Sequence, residues 1–141
     1  MCDNMSIVKE VDRKTLYAPK QIWLLKETFF TEAKKLLIDK GRLRRAGLFG
    51  KKVEVRHSVI SDGLSTEIVL QSKGRSPEGA EEIILDIGGI SRLSIEKNKR
   101  GNLTATARKH FSDPIKDSAM PLCQACDVLS DHLLVLEQLK S

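Results

Sequence analysis

Between residues 53 and 109 apolar and polar side chains alternate with a period of two, whereas on either side of that stretch the apolar residues recur every three or four positions. This change of period, from helix to strand and back to helix, limits the chain to very few architectures. A strand with one apolar face and a helix with one apolar stripe must each bury that surface against another element.

The alternation can be followed strand by strand. In KKVEVRHSV, Val53, Val55, His57 and Val59 share one face, and Lys52, Glu54, Arg56 and Ser58 share the other. Ser61-Asp62-Gly63 then forms a turn, since Asp and Gly tolerate the backbone angles that tight turns require. STEIVLQSK turns Ile68 and Leu70 inward and Glu67 and Gln71 outward, and GRSPEG is composed as a loop. EEIILDI and ISRLSIEKN flank Gly88-Gly89, a two-residue hairpin signal. NLTATARKHF sends Leu103, Ala105 and Ala107 in, and Thr104, Thr106, Arg108 and His110 out.

The first helical stripe begins at Ala18-Pro19, where proline suits a first turn that does not need its N–H. It runs through Ile22, Leu25, Phe29, Ala33, Leu36 and Leu37, and Gly41 stands where a helix ends. Asp113-Pro114 and Met120-Pro121 break the chain before a last stripe of Leu122, Cys126, Leu129, Leu133 and Leu136. The expected fold is therefore α+β: an N-terminal helix, a four- to five-stranded antiparallel sheet, and a C-terminal helix packed on one sheet face. Residues 1–17 show no sustained period and read as a flexible N-terminal arm, with residues 18–141 as a single domain.

Hydrophobic content of 40% and charged content of 30% exclude a disordered or fibrous chain. The longest apolar runs, IWLL and LLVL, fall far short of the roughly 18 to 20 residues of a membrane span. The N-terminus lacks the basic start, apolar run and cleavage site of a secretory leader. Three cysteines do not make a disulfide scaffold. The expectation from these features is a cytoplasmic protein.

Net charge is +5, and it is local. From Lys40 to Arg56 seven basic residues face one acid, Glu54, giving +6 and leaving −1 for the rest of the chain. KGRLRRAGLFGKK, residues 40–52, combines arginine forks that match phosphate oxygens with glycines that let backbone N–H groups approach a ligand. Lys40, Arg42, Arg44, Arg45, Lys51 and Lys52 are the candidate phosphate contacts. Arg56, Arg92 and Arg108, on outward positions of separate strands, would extend that surface, although Glu54, Glu67, Asp86 and Glu96 share the face and weaken its field. The stretch is not a P-loop, because GxxxxGK[ST] is absent and the order is helix to strand.

Aromatic side chains fall mostly at core positions, so base stacking is disfavoured and contact with a phosphate backbone is favoured. The preferred partner is nucleic acid, RNA over DNA, bound without catalysis. CQAC at 123–126 lies in a final helix rather than after an early strand, so both thiols are expected to pack as small apolar groups. His57, His110 and His132 have no ligand spacing, GxSxG is absent, and no carboxylate pair argues for acid–base work. No cofactor or metal is called for.

A competing expectation is an assembly subunit, a homo- or hetero-oligomer that docks an acidic protein surface or a second chain through helix faces or an edge strand. Trp23, Leu24, Phe30 and Ile38 lie off the first stripe, and Val128, Leu134, Val135 and Leu139 lie off the last.

Overall fold

The computed structural model describes residues 19–40, 53–109 and 111–140. The expected arm at 1–17, the basic residues Arg42, Arg44, Arg45, Lys51 and Lys52, and His110 lie outside the described residues. Helix α1 spans Pro19–Asp39 and helix α2 spans Leu122–Leu139. Between them run β1 (Val53–Ser61), β2 (Leu64–Arg75), β3 (Glu81–Ile87), β4 (Ser91–Lys97), β5 (Leu103–Lys109) and β6 (Ile115–Lys116), followed by a 3₁₀ turn at Asp117–Ala119. The strands form one antiparallel sheet in chain order. The class is as expected, but the sheet has six strands rather than four or five. The additional strand pairs Ile115 with Ala107 and Lys116 with Thr106, in a segment whose prolines suggest only a break.

Turn chemistry sets the register. Asp62 and Gly63 both have positive φ, 52° and 77°. That is the type I′ geometry whose twist matches the flanking strands, and it pairs Ser61 with Leu64. The β3–β4 connection differs from expectation: it has three residues, Gly88, Gly89 and Ile90, because Ile87 pairs with Ser91. Gly88 is required there, since its φ is 59° and a Cβ would meet Thr66 Cγ2 at 3.0 Å.

Both helices lie on one face of the sheet and touch each other. Phe29, Leu37, Leu70, Leu85, Leu93, Ile95, Leu129 and Leu136 are fully buried between the layers. Phe30 and Leu139, although off the main stripes, are 3% and 2% exposed, because the two helices and the sheet close on more of the helix circumference than one stripe covers. Leu122 begins its helix 43% exposed and is not part of the core. On the opposite sheet face the polar alternation is interrupted by Ile84, which pairs with Gln71 and Ser94 and is buried.

One charged pair is built into the core. Lys26 Nζ donates to Asp117 Oδ2 at 2.6 Å and to the Leu103 carbonyl at 2.9 Å, while Asp117 Oδ1 accepts the Ala105 N–H at 3.2 Å. The contact joins α1, β5 and the turn after β6.

A meander in chain order places alternate connections at opposite ends of the sheet. Turns 62–63 and 88–90 share one end with the β5–β6 connection. Loops 76–80 and 98–102 share the other, where β1 also begins at Val53.

Candidate functional site

The described members of the expected basic surface do not form a continuous patch. The register places Arg56, Val69, Asp86, Arg92 and Arg108 in one row across the face away from the two helices. Within that row Arg56 bonds Glu54 at 2.9 Å and also pairs with Glu67, so hydrogen bonding and charge from Glu54, then charge from Glu67, hold its guanidinium above the ordinary value. Arg92 Nε meets Asp86 at 3.2 Å, and Lys73 faces Glu82 at 3.7 Å. Arg108 stands opposite Arg92, a like-charge pairing that costs stability, and makes no ion pair among the described residues. Lys40 lies at the end of α1, where its ammonium donates to the Leu139 carbonyl at 2.8 Å and ties the two helix ends together.

A second basic group, which strand periodicity did not reveal, lies at the end of the sheet where β1 begins. The β4–β5 connection, Asn98-Lys99-Arg100-Gly101-Asn102, is closed by its own backbone and side chain: Asn98 Oδ1 accepts the N–H groups of Arg100 at 3.0 Å and Asn102 at 2.9 Å. Asn98 N–H in turn donates to the Asn102 carbonyl at 3.0 Å. This bracing leaves Lys99 and Arg100 exposed at the tip, with no ion pair among the described residues. Lys97 lies alongside, its ammonium 5.4 Å from the centre of the Phe30 ring.

An open cleft of about 460 Å³ separates this turn from Lys34 and Arg75. At its wall Glu81 is bound by Lys34 and Arg75, each at 3.0 Å. Burial pushes the Glu81 carboxyl upward, but hydrogen bonds from Arg75 and Lys34 outweigh it and hold the group below the usual range. Val53, the residue at which the chain leaves the basic 40–52 stretch, pairs with Ser72 next to Lys73 at this same end. A residue count shows the KNKR sequence, but only the meander places it at the same end of the sheet as the start of β1, three strands away.

A more enclosed cavity of about 330 Å³ lies between α2 and the far ends of β3, β4 and β5. Ile87, Ala107, Met120, Val128 and Val135 make its apolar wall. Its polar lining includes Arg108, Lys109, Asp113, Asp131 and His132, the last 6% exposed. With Nδ1–H donating to the Val128 carbonyl at 2.7 Å, Nε2 is left to accept from the Ser91 hydroxyl at 3.4 Å. Burial pushes the imidazole below its ordinary value and the Val128 bond only partly opposes this, so the ring is neutral near pH 7. The group behind Nδ1 is a backbone carbonyl rather than a carboxylate, and the histidine is accounted for as a satisfied core residue. It lies four residues after Val128 and three after Leu129, on the helical stripe.

The CQAC pair departs from expectation in part. Cys126 packs in the core as a free thiol, which burial first and the Asp127 charge second push up to about 11. Cys123 is disulfide-bonded, so the two thiols do not act as a matched pair. Among the described residues no three His, Cys, Asp or Glu side chains converge on a metal site, and no helix is long and apolar enough to cross a membrane.

The remaining unusual surfaces are apolar. Ile60, Leu64, Ile90, Phe111 and Ile115 are 42% to 96% exposed and all lie at the sheet end opposite the basic turn. Trp23 and Leu134 are also exposed, at 48% and 66%, on the helices. The sheet edges differ as well: β6 has two residues after Pro114, whereas β1 is a nine-residue strand with no neighbour on its outer side among the described residues. No family model matches the sequence, and neither a curated protein nor a solved structure matches it.

Proposed function

We propose that this chain is a non-enzymatic nucleic-acid-binding module that grips phosphates at the basic end of its sheet. The observation that carries this reading is the braced Asn98–Asn102 turn, whose exposed Lys99 and Arg100 lie at the end where the 40–52 stretch joins β1. Lysine and arginine at the tip of a rigid turn need no reordering to meet a phosphate, and Arg42, Arg44, Arg45, Lys51 and Lys52 belong to the 40–56 stretch whose net charge of +6 exceeds that of the whole chain, +5. The sheet face away from the helices contributes little, since Arg56 and Arg92 are already neutralised by carboxylates. Double-stranded RNA, recognised through shape and phosphates rather than stacking, is the preferred ligand.

Fluorescence anisotropy with duplex and single-stranded RNA and DNA across a salt series tests this reading. Each phosphate contact contributes about −0.7 to −0.9 to the slope of log K against log salt. The Lys99→Ala/Arg100→Ala variant should flatten the slope by about 1.5, and Arg42→Ala/Arg44→Ala/Arg45→Ala by about 2 or more. Absence of binding by the wild type at low salt, or unchanged slopes in both variants, refutes the proposal.

The exposed apolar residues and the β1 edge, which has no neighbour among the described residues, favour a second reading, an assembly subunit that docks another chain.

A further inference from the structure

The inference concerns β1 and rests on the second reading, assembly through the β1 edge, which has no neighbouring strand among the described residues. In the type I′ turn the Ser61 carbonyl faces the Leu64 N–H, so Val53, Val55, His57, Val59 and Ser61 are the residues that exchange backbone hydrogen bonds with β2. The N–H and C=O groups of Glu54, Arg56, Ser58 and Ile60 therefore point to the open side. A partner strand must meet these residues with its own outward-pointing set.

We propose that the partner is a second copy of this chain, its β1 pairing antiparallel with this β1 about a two-fold axis at Val55. Among registers centred from Glu54 to His57, the charges favour this one. Centring the axis one residue later sets Arg56 opposite its own copy, and one residue earlier sets Glu54 opposite its own copy; both are repulsive. Centring it at His57 sets Arg56 against Ser58 and Glu54 against Ile60, with no charge pairing. Centred at Val55, Glu54 of each copy faces Arg56 of the other, so two attractive pairs form on the outer face.

Glu54 and Arg56 are each about half exposed and already meet in the same chain at 2.9 Å, so association exchanges neighbours without burying a bare charge. On the inner face Val55 meets its own copy and Val53 meets His57, covering valines that the edge position leaves only half-buried. The result is one sheet continuous across both copies, with the helices of both on the same side.

Sedimentation equilibrium on the full chain from micromolar to millimolar concentration tests the proposal. The wild type should show a reversible monomer–dimer equilibrium. Glu54→Arg and Arg56→Glu should each raise the dissociation constant by roughly tenfold or more, since two attractive pairs become repulsive. Mixing the two variants should restore a dimer made of one of each, and the double variant Glu54→Arg/Arg56→Glu should dimerise alone. Arg56→Pro, which removes an outward N–H that faces Glu54 of the other copy and that β2 does not use, should abolish dimerisation with the fold intact by circular dichroism and thermal melting. A dimer indifferent to all of these changes overturns the β1 pairing and leaves the assembly reading standing on another surface. A wild type monomeric at every concentration overturns self-pairing and leaves a different chain as the only partner that reading admits.

Discussion

Replacing Lys26 by methionine is the sharpest test of how this fold is held together. Lys26 and Asp117 are 11% and 12% exposed at their side chains, so their pair is shielded from solvent in a way that the surface ion pairs here are not. Methionine preserves most of the stem but leaves the Asp117 carboxylate with only the Ala105 N–H, and it leaves the Leu103 carbonyl without the ammonium donor. Breaking a buried pair from one side costs about 3 to 5 kcal/mol, because the remaining charge stays desolvated without its partner.

For a domain of this size each kcal/mol moves the melting temperature by about 3 to 4 °C, so Lys26→Met should melt roughly 10 to 20 °C below the wild type. Asp117→Asn keeps an acceptor for Ala105 and removes the second charge, so the double variant Lys26→Met/Asp117→Asn should recover about 1 to 3 kcal/mol relative to the sum of the single changes. Urea denaturation followed by circular dichroism measures all three. A loss below about 1 kcal/mol for Lys26→Met, the value of an exposed pair, would refute the argument that burial makes this contact matter.

Two further outcomes follow from buried titratable groups. His132 has a folded-state value below its unfolded one, so the unfolded chain binds the extra proton as pH falls beneath about 6.5 and stability drops from there toward the folded value. Chemical denaturation across pH 5 to 7 should show this as a slope no steeper than about 1.4 kcal/mol per pH unit that His132→Leu removes; an unchanged slope would assign the effect elsewhere. Cys126, with its thiol pushed up to about 11 and fully enclosed, should resist iodoacetamide in the native protein and react on addition of denaturant, and rapid native labelling detected by mass spectrometry would contradict the packing.

The strand faces were legible in the sequence because a period of two is local: Leu93 and Ile95, or Leu103 and Ala105, point inward by virtue of their own spacing. Strand β6 was not legible, because Ile115 and Lys116 are too short a run to carry a period and become a strand only by pairing with Ala107 and Thr106. Arg56 and Arg92 were correctly placed on the outer face, but their neutralisation by Glu67 and Asp86 required the register, since those partners come from other strands. The burial of Phe30 and Leu139 likewise depended on how the two helices close over the sheet.

The sequence by itself determined the α+β class, the helix and strand faces, the tight Asp62-Gly63 turn and the concentration of positive charge in residues 40–56, because propensity, periodicity and net charge act over a few neighbouring residues. Tertiary structure alone decided that Lys26 meets Asp117 across 91 positions, that His132 faces Ser91, that Lys99 and Arg100 share an end of the sheet with the start of β1, and that β1 is the edge strand among the described residues. Those features depend on strand order and on which elements are brought into contact, and distance along the chain does not fix distance in space.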